Sequence, residues 1–348
     1  MKITRTSITV VILTVIAFIC MCNPGCDKRD LTEPTPGMNT AKQYWIRVLL
    51  FDNIRECTIE GQSEFAASSD GLQTAIPLNK DVKLQVGVIG EFISIAGQPV
   101  CDDIVITAKD GGLLSVNGNL FRGVIRLIAN NEGGSFTVIN ALPVEAYLAG
   151  VVGAEMPSYW ESEALKAQTI AARTYCLYTK MDSGTNRQWD VKATQASQVY
   201  HGIKAETKTV WEAIRQTAGK VLVCKGSEKM FPAFYSSTCG GNRTSCKEVF
   251  GKDFATLASV KCKYCRKVDK KGYYRWRTVE YNAKEVSDKI IANYPKLKRL
   301  DRIEKIETQK YSDGRIVSVK LIGKNGKTGT LRGEDLRLTI DPSGMKIK

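Results

Sequence analysis

The chain has 348 residues, 43% hydrophobic and 25% charged, and its 50 Lys+Arg against 36 Asp+Glu give a net charge of +14. That is ordinary globular composition, long enough for two domains, and the basic surplus favours anionic partners. The single histidine, His201, excludes a Ser-His triad and a His-rich catalytic metal site. No complete Gly-x-x-x-x-Gly-Lys-Ser/Thr loop or Gly-x-Gly-x-x-Gly turn is present.

At the N-terminus, Lys2 and Arg5 precede an apolar run from Ile8 to Cys22, short for a spanning helix and suited to a signal h-region. Cys26 follows Gly25, the small residue expected before a lipid-bearing cysteine, although Asn23 departs from the usual apolar residue. Residues 1–26 therefore read as a lipoprotein signal with lipidation at Cys26, the rival being a retained signal anchor. The remaining chain would carry +12, since Lys2 and Arg5 are the only charged side chains removed. Residues 27–43, with Pro34, Pro36 and Gly37, read as a tether. The protein is expected to be exported and held on the cell-wall side of a membrane, in the periplasm or at the cell surface, with no nucleic-acid partner.

From Tyr44 to about Leu142, short β-branched runs alternate with turn signals, among them Asp110-Gly111-Gly112 and Asn117-Gly118. This predicts an antiparallel β region. The period then changes. Pro143–Leu148 reads as a short helix closed by Gly150. Ser162 caps a longer helix to about Lys180 with an apolar stripe of Ala164, Ala167, Ala171, Tyr175 and Tyr178. Asp190–Gly202 reads as a loop passing into an edge, Glu206–Thr217 as a helix, and Val221–Cys224 and Ala233–Ser236 as buried strands. Asn282 caps a helix to about Asn293, and turns at Asp313-Gly314 and Asn325-Gly326 predict two hairpins. The fold class is α+β: a β-rich part (44–141), a core with a long helix packed on mixed strands (142–281), and a β/α extension (282–348).

Three constellations carry chemistry. Glu155 stands in a Gly-flanked turn rimmed by Met156, Tyr159 and Trp160, where apolar surroundings favour the protonated carboxyl that a general acid needs. A plain turn carboxylate at the start of the next helix is the alternative. Lys166 and Arg173, seven apart, project from a common helix face. Second, Tyr235, Ser236, Ser237 and Thr238 before Gly240-Gly241 form a hydroxyl shelf open to a polyol, or a simple Ser/Thr-rich turn. Third, Cys239, Cys246, Cys262 and Cys265 supply four thiols, with Cys262-x-x-Cys265 at zinc-knuckle spacing. A closed, structural zinc site and a pair of disulfides both remain open for an exported chain.

Together these segments resemble the SpoIID/LytB family of peptidoglycan-acting proteins. The matching pieces include Val138–Val152, Glu155-Met-Pro, Glu163–Gln168, Ala172–Tyr175, Ser197–Gly202, Thr217–Leu222, Tyr235–Gly241 and Leu331–Arg337, in family order. The resemblance implies a lytic transglycosylase that cuts glycan strands stripped of stem peptides, leaving 1,6-anhydro-N-acetylmuramic acid ends. It implies Glu155 as acid/base and no cofactor for catalysis; the lactyl carboxylates of such glycan nominate Lys166 and Arg173 as anion contacts, and Tyr200, Tyr235, Ser236, Ser237 and Thr238 are expected as further substrate contacts. The LytB branch implies the alternative, a non-catalytic enhancer of an N-acetylmuramoyl-L-alanine amidase, with that amidase as partner. The cysteine quartet belongs only to a subset of the family, and relatives often run a little beyond Lys348.

Overall fold

In the computed structural model of the protein, the described residues are 44–342 apart from 70–74, 81, 131–132, 184–186 and 269–277. The signal, tether and lipidation expected over residues 1–43 lie outside them, Cys26 included. The architecture is α+β, in two compact units: the first ends at Phe234 and the second begins at Tyr235.

Among its described residues the first unit opens with twelve strands, interrupted only by a 3-10 turn at Lys109–Gly111 between the eighth and ninth. They are β1 (Trp45–Ile54), β2 (Cys57–Gly61), β3 (Phe65–Ser68), β4 (Ile76–Leu78), β5 (Leu84–Ile89), β6 (Phe92–Ile95), β7 (Gln98–Cys101), β8 (Asp103–Ala108), β9 (Leu114–Val116), β10 (Asn119–Phe121), β11 (Val124–Ala129) and β12 (Phe136–Pro143). Helix α1 (Val144–Glu155), helix α2 (Ser162–Ser183), β13 (Val191–Lys192) and helix α3 (Lys208–Gln216) follow. One sheet runs β13-β1-β12-β11-β8-β3-β4, the other β10-β9-β2-β5-β6-β7. Pairing is antiparallel except where β13 lies parallel to β1, Val48 opposite Val191.

Patterning explains the layers. β2, β3 and β8 alternate buried and half-buried residues, as strands with one covered face do. β11 is buried along its whole length and β12 at all but its last residue, so both faces of the sheet centre are covered. The expected turn at Asn117-Gly118 joins β9 to β10, both residues at positive φ, as a two-residue hairpin requires.

Two helix expectations are corrected. Gly150 does not close α1, which runs through it and through Gly153 to Glu155. Both glycines exist for close approach. A Cβ at Gly150 would stand 2.4 Å from the Tyr200 ring, and one at Gly153 only 1.9 Å from the Ala205 carbonyl oxygen. The α2 stripe is also rotated: its buried face is Leu165, Thr169, Ala172, Arg173, Thr174 and Cys176, and Ala167 is exposed. The polar members enter the interior because their donors are satisfied within the fold; the Thr169 and Thr174 hydroxyls donate to the carbonyls of Leu165 and Ile170.

Val221–Cys224 and Ala233–Ser236 are not strands. The first makes only an isolated bridge, Val223 to Met230, and Leu222 and Val223 are exposed. The Leu222 N–H is instead taken by the Thr174 hydroxyl at 2.9 Å, and Phe234 N–H by the Pro232 carbonyl.

In the second unit, β14 (Asn242–Arg243) pairs with β15 (Val260–Lys261), and helix α4 (Cys246–Phe250) lies between them in sequence. Helix α5 (Tyr264–Val268) follows β15. Helix α6 (Ala283–Asn293) starts where expected, Asn282 accepting the Lys284 N–H. The two predicted hairpins are present as β16 (Ile303–Lys310), β17 (Ile316–Gly323) and β18 (Thr328–Arg332), closed by helix α7 (Gly333–Ile340). Their core joins Ile290, Leu297, Leu300, Ile303, Val319, Leu321 and Leu331.

Candidate functional site

Glu155 is the last residue of α1, not a turn residue, and Met156 takes extended backbone to end the helix. Its carboxyl is held from outside the helix: Val199 donates its backbone N–H to Oε1 at 2.8 Å. That segment is itself anchored on α1 and α2. Tyr147 of α1 donates its hydroxyl to Gln198 Oε1 at 3.1 Å, Gln198 Nε2 donates to the Ala172 carbonyl of α2, and the His201 N–H reaches the Gly150 carbonyl. A polar strap, read from the sequence as aperiodic loop, is thereby bound residue by residue beside the acid. Gly150 and Gly153 let it approach.

The surroundings of Glu155 differ from the expected apolar rim. Tyr159 is 80% exposed and Trp160 50% exposed, so neither buries the carboxyl, which is itself half-buried. They stand in solvent on the short connection between α1 and α2. Exposed aromatic faces of this kind bury the apolar faces of a ligand at small conformational cost. The sequence marked these two residues but gave them the wrong task; the polar neighbours Ser158, Glu161 and Ser162 were the signal that they face outward.

The remaining expected contacts in this unit are placed as follows. Arg173 is 1% exposed, and its guanidinium forks onto Glu145 (Nε to Oε1 2.9 Å, a terminal nitrogen to Oε2 2.7 Å) and donates to the Lys220 carbonyl at 3.0 Å. It pins the first turn of α1 to α2 and is not presented to an outside anion. Lys166 is not on a shared open face with it: its ammonium pairs with Glu163 one turn away at 2.6 Å. Tyr200 is 5% exposed, packed against Tyr147 and Phe121, with its hydroxyl donated to Asn140 Oδ1 at 2.8 Å. Burial pushes its phenol far above the usual range. Its role is to seat the strap.

The sequence missed a second lock on that strap. Glu206 accepts a two-pronged pair from Arg122 and a 2.8 Å hydrogen bond from Trp211 Nε1, while Arg122 lies 5.6 Å above the Trp211 ring. Arg122, before β11, and Trp211, in α3, are far apart in sequence, so no spacing reveals the triad.

The hydroxyl shelf opens the second unit. Ser236 and Ser237 are exposed and Tyr235 and Thr238 half-buried, in irregular backbone. Of the four expected metal ligands, Cys239, Cys262 and Cys265 come together, their sulfurs all within 4.8 Å of one another and Cys239 and Cys265 at 3.4 Å. Cys246 is corrected out of that group. It is buried in the first turn of α4, whose start is set by Ser245 accepting the Glu248 N–H. Tyr273–Trp276, expected to meet the cluster, lies outside the described residues.

Residues 132–224, which contain Glu155 and the strap around it, match the family model described as stage II sporulation protein, SpoIID. Among curated proteins, the chain is 30% identical over 214 residues to stage II sporulation protein D of Bacillus subtilis, covering 57% of this chain and 58% of that protein. It is 38% identical over 148 residues to the amidase enhancer of Bacillus subtilis, 42% of this chain and 20% of the relative. Over residues 132–224 the chain is similar to the SpoIID/LytB family. An uncharacterised protein of Brachyspira hyodysenteriae is 35% identical over 228 residues, 65% of this chain and 60% of its own length. The chain thus spans about 60% or less of the length of these curated relatives.

Proposed function

We propose that this chain is a peptidoglycan lytic transglycosylase acting on glycan strands without stem peptides. The observation that carries the reading is the fixed carboxyl of Glu155, oriented by the Val199 N–H beside two exposed aromatic residues, inside the segment that matches the family. The protonated carboxyl gives its proton to the glycosidic oxygen as the bond to C1 of N-acetylmuramic acid breaks, releasing the next sugar as an alcohol. The carboxylate so formed takes the proton of the C6 hydroxyl of the same N-acetylmuramic acid, whose O6 bonds to its own C1 and closes the 1,6-anhydro ring. Protons and electrons balance with one carboxyl, no water and no redox partner. Tyr159 and Trp160 supply stacking surface for the sugar rings.

Glycan without peptides exposes a lactyl carboxylate on every second sugar, which the tethered chain, at +12 once Lys2 and Arg5 are removed from the +14 total, attracts. The same reading places the protein on the wall side of a membrane, tethered through Cys26. Incubation with peptide-free glycan followed by mass spectrometry tests it: anhydro ends support cleavage. A second reading, a non-catalytic stimulator of a wall amidase, is favoured by the likeness to the amidase enhancer. Binding without anhydro ends, together with faster release of stem peptides by an added amidase, would establish that reading instead.

A further inference from the structure

We propose that Cys239, Cys262 and Cys265 form a three-thiolate zinc site whose fourth position is open to solvent, with Cys246 not a ligand.

The geometry is nearly that of the loaded site. Zinc at about 2.3 Å from each sulfur of a tetrahedron sets the sulfurs about 3.8 Å apart. Here all three lie within 4.8 Å of one another and one pair stands at 3.4 Å, so side-chain adjustments of a few tenths of an ångström to about one suffice. Their number is also informative: a disulfide takes two sulfurs and leaves the third unpaired in the same cluster.

The backbone holds the sulfurs together before any metal arrives. β14 and β15 pair Asn242 with Lys261 and Arg243 with Val260, which brings the loop after Cys239 beside the entry to Cys262. The Cys262 N–H donates to the Gly241 carbonyl at 2.8 Å. Gly240 and Gly241 both take positive φ, letting the chain fold back so that the Gly241 N–H faces the Cys239 sulfur. The Tyr264 and Cys265 N–H groups face the Cys262 sulfur in the same way. Arg315 ties this loop to the β16–β17 turn, donating to the carbonyls of Cys239 and Asn242 and pairing with Asp313 at 2.7 Å.

The fourth position follows from what is beside the cluster. Cys262 lines a cavity of about 670 Å³ with Gly241, Asn242, Lys261, Lys263 and Asp313. Asn242 Oδ1, in the same loop, is buried with no donor among the described residues, and a water on the metal would offer one. Three thiolates on a divalent ion carry one net negative charge, which Lys261 and Lys263 offset. On binding, three metal–sulfur bonds replace three S–H bonds and the protons pass to solvent, with no change of oxidation state. An open position lets a water, thiol or nitrogen base enter from the cavity.

The test uses the full chain purified without added metal and is independent of glycan cleavage. About one zinc per chain is expected, retained by Cys246→Ser and lost by Cys262→Ser. Replacement by cobalt should give thiolate charge-transfer bands and d–d bands that shift when imidazole is added to the unaltered chain. Three results overturn the proposal: metal lost by a folded Cys246→Ser chain, cobalt bands that imidazole leaves unmoved, or no metal together with a disulfide in the cluster by mass spectrometry. Should Cys246→Ser fail to fold, the imidazole response of the unaltered cobalt chain decides by itself.

Discussion

Val199 holds Glu155 by a 2.8 Å hydrogen bond across 44 positions of sequence. The contact comes from the main chain, so no side chain at position 199 has to be of a given kind, and the donor cannot rotate away. The acid is therefore aimed by the whole seating of the Gln198–Gly202 strap on α1. Substitutions that lift this strap should affect cleavage as strongly as changes near the carboxyl.

Glu155→Gln keeps an oxygen to accept the Val199 N–H but cannot give up and recover a proton. Cleavage of peptide-free glycan should fall by about 100- to 10,000-fold. Glycan binding and melting temperature should stay as in the unaltered chain. Anhydro ends formed at the original rate would remove Glu155 from the reaction.

Gly153→Ala places a methyl group against the Ala205 carbonyl oxygen, where a Cβ would sit 1.9 Å away, and backbone cannot step aside as a flexible side chain could. The strap must lift from α1, at a cost of about 1–3 kcal/mol or more. Melting temperature and cleavage should fall together. A variant that melts as before would mean that this contact has slack the packing does not show.

Arg173→Ala leaves Glu145 and the Lys220 carbonyl without their donor. Glu145 keeps 39% of its side-chain exposure, so the loss should be roughly 2–4 kcal/mol, below the figure for a fully buried pair. Arg173→Lys should recover little of it, because an ammonium cannot fork onto both oxygens. Lys166→Ala, which removes only an ion pair with an exposed Glu163, should melt normally. If instead Arg173→Ala is stable and loses only salt-sensitive glycan binding, Arg173 reaches the substrate after all.

Trp160→Ala and Tyr159→Ala remove exposed rings and should leave stability within about 0.5 kcal/mol. Under the glycan reading each should weaken binding to sugar strands, by roughly 1–3 kcal/mol for a well-stacked ring. Isothermal titration with peptide-free glycan measures this directly, and unchanged affinity in the double variant would dismiss the stacking surface.

Burial pushes the thiols of Cys57 and Cys176 up to about 12. As pH rises past the unfolded value of about 8.5, the unfolded chain loses these protons first, so stability should fall progressively between about pH 9 and 12. At pH 8 both thiols should resist iodoacetamide until denaturant is added. Rapid labelling of either one in the folded chain would contradict their burial.

The sequence alone determined whatever depends on neighbours a few positions apart. Turn residues marked the turn at Asn117-Gly118 and placed the hairpins at Asp313-Gly314 and Asn325-Gly326, each with its glycine at positive φ, a backbone that glycine adopts freely. Asn282 marked a helix start since a short side-chain acceptor next to an amide is a local event. The run of motifs around Glu-Met-Pro announced the likeness to the family, and the lone histidine removed whole classes of chemistry. Tertiary structure decided the rest. Gly150 and Gly153 carry two meanings in a helix pattern, a stop or a close approach, and only the presence of Tyr200 and Ala205 opposite them selects the second. Arg173 looks like a surface cation until Glu145 and the Lys220 carbonyl surround it, which makes burial affordable by meeting its donors. Four nearby cysteines look like one site, yet two strands of two residues bring three sulfurs together, while α4 carries Cys246 into separate packing. Local spacing fixes backbone conformation, but which side chains meet depends on how distant segments close upon one another.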